Sequence, residues 1–261
     1  MVEKTITLKF KELGNGTPMI FLHGYPLSHK IWLPLVVDLK KQARLILPDL
    51  RGHGESPVTN GTYSMSLMAD DVVRLMDTLQ ITKAILLGHS MGGYVSLAFT
   101  KKYPDRLAGL GLVATQAIAD TLEKKQGRLE AILLLKSQGT QAIVESMLPR
   151  LTSRTELYDP LREIMSMTTP LGIEGALRGI AEREDSTSSL SGIRVPSMVI
   201  AGVGDKIVPL ERAQEMARWI PNSWLVKIEG AGHMPMMETP KQVIEACLTL
   251  LDTVEAKQSM K

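Results

Sequence analysis

A serine hydroxyl becomes a useful nucleophile when the chain holds it in the open and a base can take its proton, and one hexad meets the first requirement: Gly88-His89-Ser90-Met91-Gly92-Gly93. It follows the apolar run Ala84-Ile85-Leu86-Leu87 and opens a stretch of helical period near Met91. A strand-to-helix turn this sharp strains the backbone, and a glycine two residues to either side of the serine leaves room for neighbouring segments. The helix that follows aims free amides and the positive end of its dipole at any oxyanion formed on Ser90. Ser90 is therefore the candidate nucleophile, and Met91 offers a candidate oxyanion amide.

The base must come from five histidines. His23 precedes Gly24 at a strand end, His29 lies in a polar loop, and turn structure accounts for His53 in Arg51-Gly52-His53-Gly54. His89 adjoins the serine, but neighbours in so tight a turn point their side chains apart. That leaves His233, in Gly230-Ala231-Gly232-His233, just past a strand ending at Ile228. A histidine base needs a carboxylate to orient it and to stabilise the imidazolium. Asp205, directly after an apolar strand in Gly202-Val203-Gly204-Asp205, fits best, with Asp120 and Glu229 as rivals. A second oxyanion donor is the amide of Tyr25, in the glycine turn Phe21-Leu22-His23-Gly24-Tyr25-Pro26; Pro26 has no N–H to give.

These residues need a scaffold that brings their loops to one edge. Short apolar runs bounded by Gly, Pro and Asp alternate with helical stretches, the pattern of βαβ units in a mostly parallel sheet with helices on both faces, so the fold class is α/β. Strands are expected at 5–10, 19–22, 44–47, 84–87, 107–113, 197–201 and 224–228, and helices near 31–39, 67–79, 91–102, 210–219 and 240–251. From 116 to 191 only helical patterns occur, closing in the polar run 182–189, read as an exposed connection back to the sheet. The core is thus expected over 1–115 and 192–261, with a helical insertion over 116–191.

Composition excludes other classes. At 261 residues, 44% hydrophobic and 22% charged, the chain has an ordinary globular mixture. Thirty Lys and Arg against 28 Asp and Glu give +2, too little and too dispersed for a nucleic-acid partner. Single histidines and the lone Cys247, read as a buried helix residue, leave no metal-ligand cluster, no internal disulfide and no expected cofactor. The N-terminus alternates like a strand instead of forming a signal peptide, and no run reaches the ~18 apolar residues of a membrane span, so no membrane partner and a cytoplasmic location are expected. Oligomeric state is left open.

Taken together, the His23-Gly24 turn, the loop Pro48-Asp49-Leu50-Arg51-Gly52-His53-Gly54-Glu55-Ser56, the Ser90 hexad and Gly232-His233 resemble the α/β-hydrolase superfamily along nearly the whole chain. The resemblance implies the α/β-hydrolase fold, with the insertion as a cap over the site. Serine at position 90 departs from the aspartate of haloalkane dehalogenases and many epoxide hydrolases. Met91 and His89 stand where proline iminopeptidases carry Trp and carbon–carbon bond hydrolases often carry Asn. The group most resembled is the small capped serine esterases and 3-oxoadipate enol-lactonase-like proteins. It implies cleavage of a small carboxylic ester or lactone through an acyl-enzyme on Ser90, with a small molecule as partner. The alternatives are a ligand-binding or signalling protein with slow turnover, and a carbon–carbon bond hydrolase.

Fifteen methionines against three phenylalanines suggest an adaptable apolar pocket, with Met147, Met165 and Met167 in the cap and Met234, Met236 and Met237 after His233 as lining or as plain core. Lys136, Arg150, Arg154, Arg162 and Arg178 are read as substrate-carboxylate ligands or as a solvated helix face.

Overall fold

Among residues 4–259, which the computed structural model describes, the apolar runs become one seven-stranded sheet. Its strands are β1 (Phe10–Leu13), β2 (Thr17–Leu22), β3 (Ala43–Pro48), β4 (Ala84–His89), β5 (Leu107–Val113), β6 (Ser197–Gly202) and β7 (Ser223–Ile228). Their order is β1-β3-β2-β4-β5-β6-β7, with β1 antiparallel to β3 and every other pair parallel. A parallel sheet covered on both faces must be apolar throughout, and all six residues of β4 are buried. Successive side chains enter opposite cores: Phe21 and Leu87 on one face, Ile20 and Leu86 on the other.

The helices are α1 (Leu33–Leu39), α2 (Met65–Thr78), α3 (Met91–Lys102), α4 (Leu122–Leu151), α5 (Tyr158–Ser166), α6 (Pro170–Glu182), α7 (Leu210–Trp219), α8 (Pro235–Glu238) and α9 (Pro240–Ser259). Through Leu75, Val95 and Met216, helices α2, α3 and α7 cover the face of Leu86; α1 and α9 cover the other with Leu35 and Leu250. Cys247 of α9 is fully buried, and burial pushes its thiol up to about 12, so it stays protonated. Among the described residues no helix is long and apolar enough to cross a membrane.

Topology decides where a site can form. From β2 the chain steps outward to β3, then returns across β2 to β4 and continues outward the other way. The winding reverses between β2 and β4, and at such a switch point the loops leaving the two carboxyl ends diverge and open a crevice. Those loops are His23-Gly24-Tyr25 and Ser90-Met91.

Two expectations need correction. The strand expected at 5–10 begins only at Phe10; Met1 to Glu3 lie outside the described residues. Leu8 is buried and Lys9 exposed, so the alternation is real, but the Ile6 and Lys9 amides donate to Asp71 Oδ1 (2.8 Å) and Ser56 Oγ (2.9 Å) instead of a neighbouring strand. The run 182–189 is not simply an exposed connection. Arg183 is buried, 2.8 Å from Asp120 through Nη1, with its guanidinium 4.1 Å from the centre of the Tyr94 ring. An arginine in a polar run reads as solvated until its partners, remote in sequence, are placed beside it.

Between β5 and β6 lie α4, α5 and α6 with no strand. Gly139, at φ 78° and ψ −177°, interrupts α4, a conformation open to a residue without Cβ. Helix α4 packs along α6 and buries Ile132 and Leu135 as the amphipathic pattern requires, while Leu129 and Leu133 stay exposed.

Candidate active site

Ser90 stands between β4 and α3 with φ 50° and ψ −112°, a backbone conformation side chains other than glycine rarely adopt. The surroundings enforce it. A Cβ on Gly88 would strike the Gly92 carbonyl and the Ser96 hydroxyl, and one on Gly92 would strike the Leu22 carbonyl, so both glycines are required for the close packing of this turn. The turn is then clamped: the Ser90 amide donates to Val113 O (2.9 Å) and Thr115 Oγ1 donates to Ser90 O (2.8 Å).

His233 follows β7 and Asp205 follows β6, and the structure joins them. His233 Nδ1 lies 2.8 Å from Asp205 Oδ2, both side chains 2% exposed. Burial pushes the Asp205 carboxyl up, but the His233 charge and hydrogen bond, with the amides of Val208 (3.0 Å) and Ile207 (2.7 Å) on Oδ1, outweigh it and hold the group below the usual carboxylate range. Asp205 therefore stays ionised beside a ring whose Nδ1 it fixes as donor, leaving Nε2 as the basic nitrogen. The rivals sit elsewhere: Asp120 is engaged by Arg183 and by Arg128 Nε (3.2 Å), and Glu229 is exposed.

His89 does more than its position in the turn indicated. Its Nε2 donates to the backbone oxygen of His233 (2.8 Å), its ring centre lies 4.9 Å from that of His233, and a Cβ on Gly24 would run into its Nδ1. Burial, reinforced by His233, lowers its pKa to about 3, so the ring is neutral. His89 thus pins the His233 loop to the Ser90 turn. Glu238 of α8 is a second brace, accepting from the Gly232 amide (2.7 Å) and from the Thr152 hydroxyl, while Arg154 donates to the carbonyls of Glu238 (2.6 Å) and Gly230 (3.0 Å). The sequence points to none of these bracing roles, although it raises His89 as a base and Arg154 as a carboxylate ligand, because the contacts form only once the chain is folded.

Ser90, His233, Tyr25 and Met91 line one cavity of about 580 Å³. The Tyr25 and Met91 amides donate to no other protein group among the described residues, as an oxyanion site requires. Ser90 and His233 share the cavity without a hydrogen bond between their side chains. Of the methionines singled out above, Met147 reaches the cavity, whereas Met165, Met234 and Met236 are fully buried core. Of the five cations, Lys136 and Arg178 pair with Glu174, Arg162 pairs with Glu145 and Arg154 braces the His233 loop. Only Arg150 lines the cavity, together with Lys124, Arg128 and Arg212, which had not been singled out.

Residues 17–240 match the family described as the alpha/beta hydrolase fold. The chain belongs to that family. A relative from Bacillus subtilis, the AB hydrolase superfamily protein YisY, is 32% identical, the match covering 92% of this chain and 94% of that one. Among solved structures, a thermophilic esterase from Thermogutta terrifontis is similar at a TM-score of 0.91 and 40% identity, over 95% of this chain and 93% of that one. The enol-lactonase from Burkholderia xenovorans LB400 is similar at a TM-score of 0.88 and 25% identity, over 94% and 96%. Within this α/β-hydrolase, the Ser90 turn after β4 and the His233 loop after β7 occupy the same edge of the sheet, the edge at which the winding reverses.

Proposed function

We propose that this α/β-hydrolase is a serine hydrolase that cleaves small carboxylic esters or lactones through an acyl-enzyme on Ser90. The observation that carries the reading is the strained Ser90 turn sharing one cavity with a buried, hydrogen-bonded His233–Asp205 pair. His233 Nε2 takes the hydroxyl proton as Ser90 attacks the carbonyl, and the amides of Tyr25 and Met91 receive the oxyanion. Asp205 stabilises the imidazolium, which then protonates the leaving oxygen; water repeats the sequence to release the acid. The similarity to an esterase and an enol-lactonase supports the substrate class. Residues 116–191 act as the cap over a core of 1–115 and 192–261, with Met147 of α4 and Leu177 of α6 supplying cavity wall.

Covalent trapping tests the reading. An organophosphonate is expected to add one phosphonyl group to the peptide carrying Ser90, seen by mass spectrometry, and to stop ester turnover in step. Label on another residue, or continued turnover by fully labelled protein, refutes it.

His89 would act by positioning. His89→Leu fills the buried space with an apolar side chain but removes the donor to His233 O. It is expected to lower kcat for an aryl ester by about tenfold with little change in KM, because the base is displaced while the cavity is not. An unchanged kcat would show that the ring merely fills space.

A further inference from the structure

The cavity over Ser90 is more cationic than cleavage of a neutral ester requires. Lys124, Arg128 and Arg150 of α4 and Arg212 of α7 line it, against one carboxylate, Glu123. Two of these cations are answered from behind: Arg128 by Asp120 at 3.2 Å and Arg212 by Glu215 at 2.8 Å. Asp120 is also shared with the buried Arg183. Lys124 and Arg150 form no ion pair among the described residues, although most of the other cations of the 116–191 segment do.

That arrangement has an electrostatic consequence. Partial burial lowers the Lys124 pKa, and although Asp120 draws it up, Arg183, Arg128 and Arg212 push it down again. Like charges gathered at a partly desolvated wall repel, and an anion placed among them relieves the repulsion while supplying charge-assisted hydrogen bonds. Nothing in the proton transfers at Ser90 and His233 uses these side chains.

We propose that the substrate carries an ionised carboxylate remote from the bond that is cut, and that Lys124 and Arg150 receive it inside the cavity. The Arg150 fork can hold both carboxylate oxygens, and Lys124 adds a compact point charge. Glu123, which lines the same cavity, offsets part of the positive charge, and this suits a monoanionic carboxylate better than a dianionic phosphate. This inference deepens the ester and lactone reading and rests on the same cavity.

The test compares two aryl esters with one leaving group and matched chain length, mono-4-nitrophenyl adipate and 4-nitrophenyl hexanoate. The full chain is expected to favour the adipate ester by about tenfold or more in kcat/KM, a preference that shrinks as salt is raised. In K124A/R150A the ratio of the two values is expected to fall to about one. Binding reads the site without turnover: adipate should bind saturably in calorimetry and lose that binding in K124A/R150A. Equal kcat/KM for the two esters, a preference that survives the double substitution, or absence of adipate binding overturns the carboxylate site. Hydrolysis of the hexanoate ester with Ser90 labelled, but no adipate preference, overturns this inference alone and leaves the serine-hydrolase reading intact.

Discussion

Ser90→Ala is expected to lower ester turnover by roughly five to six orders of magnitude, to the background that the oxyanion amides and binding alone supply, and to abolish organophosphonate labelling. The loss should be chemical and not structural, because alanine keeps the Cβ that the turn already accommodates. Ser90→Gly separates the two properties further. The serine holds φ at 50°, a conformation that costs a non-glycine residue about 1–3 kcal/mol. The glycine variant should therefore be as inactive as the alanine variant yet more heat-stable than the parent chain. Thermal melts beside turnover assays check both statements; substantial activity in either variant removes Ser90 from the mechanism.

Asp205→Asn is expected to cost roughly 10³–10⁴-fold in kcat, for a reason visible in the geometry. Asp205 Oδ1 accepts the amides of Ile207 (2.7 Å) and Val208 (3.0 Å), so an asparagine must place its carbonyl oxygen there. Its NH2 then takes the place of Oδ2, 2.8 Å from His233 Nδ1, and can only donate. The ring is forced into the tautomer that carries its hydrogen on Nε2, where it cannot take a proton from Ser90. Asp120→Asn provides the contrast, since it weakens the contacts to Arg128 and Arg183 without touching the tautomer of His233. That variant should lose stability while retaining most of its kcat. Near-normal turnover in Asp205→Asn together with its loss in Asp120→Asn would transfer the acid to the end of β5.

What could be read without coordinates follows from how far each signal reaches along the chain. The Ser90 turn was legible because strand, turn and helix are contiguous and the glycine spacing reports local crowding. The placement of Ser90, Asp205 and His233 just after the strands β4, β6 and β7 was legible because strands and helices alternate in the core pattern. The N-terminal strand was misplaced because alternation reports which residues are buried and not which groups satisfy the backbone; Asp71 and Ser56 do so there. Arg183 was misread for a related reason, since a charge reveals its burial only once Asp120 and Tyr94 stand beside it.

The sequence by itself thus determined the fold class, the nucleophile candidate and the loops that carry its partners, because these depend on periodicity and on turn chemistry within a few residues. Only the tertiary structure decided which carboxylate meets His233, a pairing across 28 residues, and that the ring of His89 holds a carbonyl 144 residues away. It also decided which cations face the cavity. Lys136, Arg150 and Arg162 belong to one helical segment of similar composition, and only the tertiary packing brings Arg150 to the cavity wall while Glu174 and Glu145 engage the other two. Electrostatic and hydrogen-bond partners are chosen by distance in space, and sequence spacing constrains that distance only within a single helix or strand.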